Sequence, residues 1–205
     1  MLNRRAKARG FTLIEMAVTM SVFAIIVALG IPSMKTWIAN TKVRAVTDSL
    51  QNGLRVAQAE SLRRSRQVVF SMTNSATPQA IPVGAVADGL SWAIYTLPSM
   101  TDGTEVPDFI QSGVLSSATA SVVINSNGVA AICFNSVGRV VPNASANLTA
   151  VTGGAICGAP PPVQTITVSL PGGADRPLQV QVGLGGQVHM CDPAFVLSTA
   201  NPEGC

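Results

Sequence analysis

Residues 11–34 read FTLIEMAVTMSVFAIIVALGIPSM, a run of 24 residues with a single charge, Glu15. As a helix this run spans about 36 Å, more than the roughly 30 Å hydrocarbon core of a bilayer. Residues 1–10 carry Arg4, Arg5, Lys7 and Arg9 and no acid, which by the positive-inside rule keeps the N-terminus cytoplasmic. The chain is therefore expected to begin with a membrane-spanning helix, with the remaining residues on the far side of the bilayer. Pro32 should kink that helix or loosen one of its hydrogen bonds.

Two simple devices share this pattern. One is a secretory signal peptide, with Ala28-Leu29-Gly30 as a small-residue cleavage site. The other is a plain single-span anchor. Neither accounts for Glu15, because an acidic residue in an apolar membrane helix costs about 2.5–3.5 kcal/mol at mid-membrane and usually marks a pairing site.

The segment Arg9-Gly10-Phe11-Thr12-Leu13-Ile14-Glu15 resembles the class III signal of type IV pilins and type II secretion pseudopilins. The resemblance implies that prepilin peptidase cuts after Gly10 and methylates Phe11 as the new N-terminus. Residues 1–10 would then be a leader peptide and 11–34 the transmembrane half of a helix. Glu15, fifth in the mature chain, would pair with the N-terminal amine of a neighbouring subunit and set axial register. A carboxylate stranded among apolar side chains favours such an ammonium partner.

Beyond Pro32, Ala39, Val43, Val46, Leu50, Leu54 and Ala57 recur at helical spacing. This predicts an amphipathic continuation over 35–66 that packs its stripe on a globular domain. Lys35, Lys42, Arg44 and Arg55 should then face outward. They form either a solvated face or a surface for docking the acidic domain of a neighbour. Gly53 should weaken the helix by about 1 kcal/mol relative to Ala without ending it. Arg63, Arg64 and Arg66 belong at its C-terminal end, where cations oppose the helix dipole.

After residue 67 the helical period gives way to short β-rich runs at 68–72, 90–96, 121–125, 129–134, 163–170, 178–182 and 187–191, separated by turn formers. Asn127-Gly128 is a hairpin signal. Residues 74–89, 97–113 and 142–162 read as loops. The expected fold class is α+β: a long N-terminal helix packed on an antiparallel β-sheet domain over 67–205. The run Ala57-Gln58-Ala59-Glu60-Ser61 before Val68-Val69-Phe70 resembles the GspH/FimT branch of minor pilins and pseudopilins. So do the segment from Cys133-Phe134 to Gly138-Arg139-Val140 and the closing hairpin that runs into Cys191. That resemblance implies a structural subunit of the inner membrane with a periplasmic head, partnered by prepilin peptidase and other pilins or pseudopilins. It would help to initiate or cap a filament.

In an oxidising periplasm the four cysteines would form disulfides, and sequence alone does not choose among three pairings. The expectation is Cys191–Cys205, which closes a short C-terminal loop, with Cys133–Cys157 as the second bridge. His189 is the only histidine, and with no C-x-x-C spacing neither a metal centre nor a catalytic triad is expected. No nucleotide-binding loop is present. The chain is read as a non-enzyme without cofactor.

Some FimT-type proteins bind DNA through a Gly-Arg-x-Arg motif in the closing hairpin. The matching positions are Gly186-Gln187-Val188-His189, with both arginines replaced. Of the 13 Lys+Arg, only Arg139 and Arg176 fall after residue 66, against seven acids. Nonspecific DNA affinity comes from cations on phosphates, so no nucleic-acid partner is expected.

Overall fold

The computed structural model describes residues 10–75, 77–79, 84–98, 106–115, 121–143, 155, 157–172 and 176–205. One helix, α1, runs over Leu13–Arg64 for 52 residues, unbroken across Pro32. At about 1.5 Å per residue it is roughly 78 Å long. Thr12 caps its start. At the other end Ser65 adopts a left-handed conformation (φ 52°) and closes the last turn through its N–H. Arg66 thus falls beyond the helix, while Arg63 and Arg64 lie in its last turn.

The two halves of α1 differ as the sequence pattern predicts. The apolar half lies outside the protein core, with no buried residue in its most hydropathic 18-residue window. In the second half Ala39, Val43, Val46, Leu50, Leu54 and Ala57 are all buried. Gly53 lies on the same face. A Cβ there would stand 2.9 Å from the Phe70 ring and 3.2 Å from the Trp92 indole. The glycine therefore marks a close approach of the helix to the head.

The head holds β1 (Val68–Thr73), β2 (Ser91–Thr96), β3 (Phe109–Val114), β4 (Val123–Asn125), β5 (Ala131–Phe134), β6 (Val163–Ser169), β7 (Leu178–Gly183) and β8 (Val188–Cys191). They form two four-stranded sheets, ordered β3-β2-β1-β5 and β4-β6-β7-β8. Every strand pair is antiparallel. Phe70, Trp92, Ile132 and Phe134 of the first sheet and Ile166, Val168, Val180 and Val182 of the second share one core with the helix stripe.

β1 and β2 are buried at every position, and this explains their lack of alternation. Val68, Phe70 and Met72 face the helix. Val69, Ala93, Tyr95 and Cys133 point to the opposite face and meet Ala155 and Cys157. The Cys133–Cys157 disulfide fastens that covering segment to the sheet.

Two sequence expectations are corrected. β3 lies partly within 97–113, which reads as loop. Its FIQSGV sequence lacks period-2 alternation, and as an edge strand it is only partly buried. Gly113 belongs there for a packing reason, since a Cβ would collide with the Trp92 indole.

Asn127-Gly128 does form a turn, with φ of 54° and 80° and a Val129 N–H to Ser126 carbonyl bond of 3.1 Å. It joins no hairpin, because β4 and β5 belong to different sheets. Asp88 holds this crossing: its Oδ1 accepts from the Ser126 N–H (2.6 Å) and from the Ser126 hydroxyl (2.9 Å). The expected loops 74–89 and 142–162 lie partly outside the described residues.

Candidate functional site: the N-terminal junction and the faces of α1

Gly10 and Phe11 precede α1 in exposed, irregular backbone, and Thr12 is extended (φ −82°, ψ 153°). Among the described residues, nothing stands within 4 Å of where a Gly10 Cβ would be. A peptide bond presented this way is open to a protease before the helix begins.

Glu15 occupies the third helical position. Its N–H donates to Thr12 Oγ1 (3.3 Å), and its carboxylate accepts from the Thr12 N–H (3.5 Å). This reciprocal capping box satisfies two of the helix's orphan donors and places the negative charge at the positive end of the dipole. The pattern Thr12-x-x-Glu15 was the available signal for this local role, which a reading of Glu15 as a stranded carboxylate passes over. All four groups lie C-terminal to Gly10, so a cut there leaves the box intact.

Farther along α1, several cations turn inward to their own chain. Arg63 and Arg64 both bind Glu60, at 2.6 Å and 2.8 Å, and Arg64 also reaches Asp108 on the head. These hydrogen bonds and charges hold the Glu60 carboxyl down to about 2. Arg55 is exposed as the spacing predicts, yet it too is held by its own chain. Its guanidinium donates to the Val188 carbonyl of β8 (3.2 Å). Gln51, in the amide orientation that satisfies both donors, accepts from Arg55 and from the Met190 N–H, each at 3.1 Å. Lys35 and Arg44 do face solvent, and Lys42 is half-buried.

In the closing hairpin, Gly186 (φ 87°) packs against the Gly138 carbonyl. Gln187 and His189 are exposed, as is Arg139 across the contact. The second disulfide joins Cys191 to Cys205, with a Cα–Cα distance of 5.2 Å.

Residues 5–31, which contain Gly10, Phe11 and Glu15, match the prokaryotic N-terminal methylation motif. Residues 46–186 match the family described as Type II transport protein GspH.

The chain belongs to the GspH family.

Among solved structures, this GspH-family protein is similar to the type IV minor pilin FimU of Pseudomonas aeruginosa. The identity is 12%, covering 76% of this chain and 92% of FimU, with a TM-score of 0.49. It is also similar to the minor pseudopilin EpsH from the type 2 secretion system of Vibrio cholerae. There the identity is 11%, covering 75% of this chain and 99% of EpsH, with a TM-score of 0.43. The methylation motif and the GspH match make this a pilin-like α+β subunit, a minor pilin or pseudopilin of a type IV pilus or type II secretion system, anchored through its apolar helix.

Proposed function

We propose that this chain is a minor type IV pilin, cut by prepilin peptidase after Gly10 and N-methylated on Phe11. The apolar half of α1 then holds it in the inner membrane with its head in the periplasm. From there it assembles with other pilins and helps to initiate or cap the pilus, as a structural subunit without catalytic activity. The observation that carries this reading is the N-terminal junction: an open Gly10–Phe11 bond followed directly by a helix whose first half has no buried face. Such a helix is complete only when lipid or other helices cover it.

Mass spectrometry of the mature N-terminus tests the reading. A chain starting at N-methyl-Phe11 is expected; one starting at Ile31 would show an ordinary signal peptide instead.

The second reading is a minor pseudopilin of a type II secretion system, supported by the family description over residues 46–186. Neighbouring genes separate the two. Other minor pilins and an adhesin favour the pilus, and a general-secretion operon favours the pseudopilus.

A further inference from the structure

The strand β8 descends along α1 towards the membrane. The Val188 carbonyl meets Arg55, and the Met190 N–H meets Gln51, one turn lower. Below them Cys191, Asp192 and Glu203 face Trp37, Thr41 and Arg44 across an open cleft of about 500 Å³. The C-terminal loop after β8 therefore leaves the head at its membrane-side end. At 1.5 Å per residue, Trp37 stands about 4.5 Å and Thr41 about 10 Å past Met34, where the apolar run stops. The polar layer on each side of a bilayer is roughly 5–8 Å deep, so the loop begins beside it.

This loop is firmly built. Beyond the Cys191–Cys205 bridge, the Asp192 N–H donates to the Glu203 carbonyl (2.7 Å) and the Cys205 N–H to the Phe195 carbonyl (3.0 Å). Asp192 Oδ1 accepts from the Ala194 N–H (2.9 Å). A Cβ on Gly204 would stand 2.6 Å from the Val196 carbonyl carbon. Despite this framework, three consecutive apolar residues point to solvent: Phe195 is 37% exposed, Val196 81% and Leu197 62%.

We propose that the C-terminal disulfide loop rests Phe195, Val196 and Leu197 in the interfacial layer of the bilayer that holds α1. This gives the unassembled subunit a second membrane contact that fixes the tilt of its head. The bilayer is favoured as occupant by continuity. The apolar half of α1 leads directly into exposed Met34, Trp37 and Ile38, and an aromatic residue at the end of a membrane span belongs at the headgroup level. Asp192 is buried and faces Arg176 at 3.7 Å, so Glu203 is the loop's exposed acid, and it lines the cleft together with Arg44 of α1. The contact is apolar rather than electrostatic. It rests on the membrane-anchored reading of α1.

The test uses the full mature chain in phosphatidylcholine vesicles containing brominated phosphatidylcholine, with tryptophan emission as readout. Trp37 of the parent chain reports insertion of α1, while Trp92, only 4% exposed in the head core, gives a constant background. Val196→Trp in a Trp37→Phe chain is expected to emit at shorter wavelength. Its quenching should be at least twofold stronger than that of Val137→Trp, which lies near Leu62 at the far end of α1. Leu197→Trp repeats the measurement if Val196→Trp fails to form the disulfide. Quenching of Trp37 with none at 196 or 197 overturns the loop contact alone. Loss of quenching at Trp37 as well overturns the anchor beneath it. Shielding of 196 that appears only when other pilins are added also refutes the proposal, because the loop then belongs to a subunit interface.

Discussion

Gly53→Ala sets two opposed effects against each other. Helix propensity favours alanine by about 0.8–1.0 kcal/mol, and on an exposed face that term would win. At this position the new Cβ meets Phe70 at 2.9 Å and two Trp92 atoms at 3.2 Å. Neither ring has an easy retreat. They stack on each other at 5.7 Å. The indole Nε1–H is held by Ser49 (3.2 Å), and the indole backs onto Gly113, where even a Cβ would not fit. Overpacking a filled core costs about 1–3 kcal/mol, and rigid neighbours place this site in the upper part of that range. The expected net loss is about 1–2 kcal/mol. It should appear in denaturant unfolding of the mature chain in detergent, followed by near-UV circular dichroism of the Phe70–Trp92 pair. Asn52→Ala, on the exposed face, isolates the propensity term and should stabilise by about 0.7 kcal/mol or less. If Gly53→Ala stabilises as much as Asn52→Ala, the close helix–head contact is not real.

Glu15→Ala should leave cleavage largely intact while impairing incorporation into filaments, read by immunoblot of sheared pili against whole-cell protein. Normal incorporation would refute a role for Glu15 in subunit pairing. Cys205→Ser opens the loop closed by Cys191–Cys205, a sequence separation of 14, and should lower stability by about 3 kcal/mol. Limited proteolysis should then cut within 192–204 before any other site in the head. Glu60 has a folded pKa of about 2 against an ordinary 4.5. Its ion pairs therefore contribute stability fully above pH 4.5 and lose it as pH falls towards 2. Glu60→Gln should flatten the acid limb of the unfolding profile in that window, and an unchanged limb would show that the pairs contribute nothing. The mature chain in detergent should give no DNA gel shift at about 0.15 M salt, and salt-sensitive binding there would reverse the reading of the closing hairpin.

The helix was the most legible element because its stripe has one period and one partner face. Every residue of Ala39, Val43, Val46, Leu50, Leu54 and Ala57 is buried as the spacing implies. Strands were legible where flanking turn formers bounded an apolar run, as at β1, β6 and β7. β3 was hidden because an edge strand needs no continuous apolar side, and Ser112-Gly113 imitates a turn. The Asn127-Gly128 error has a different origin. Local sequence encodes the turn geometry, but which sheet each flanking strand joins is decided by long-range contacts such as the Asp88–Ser126 bonds. At the N-terminal junction the sequence displayed Glu15 as an anomaly in an apolar run. Its hydrogen bonding with Thr12 was signalled by the Thr12-x-x-Glu15 spacing, and the helix start at Leu13 shows which residue caps which.

The charge asymmetry of the sequence also acquires a different meaning. The net charge of +3 includes four leader cations, so cleavage after Gly10 would leave nine Lys+Arg against ten Asp+Glu. What remains looks like a basic helix joined to an acidic head, a polarity suited to docking between neighbours. Much of that opposition is already satisfied within the subunit. Arg63 and Arg64 neutralise Glu60, Arg64 bridges to Asp108, and Arg55 serves the edge of β8. Pairs formed inside one chain offer little to a partner, because breaking them would cost as much as remaking them gains. Among the described residues of α1, the cations left for intersubunit contact are Lys35, Lys42 and Arg44. They sit just beyond the apolar half, where packed helices emerge from the membrane. In the proposed assembly, electrostatic recognition between subunits would therefore be concentrated at the base of the head, not along the whole shaft.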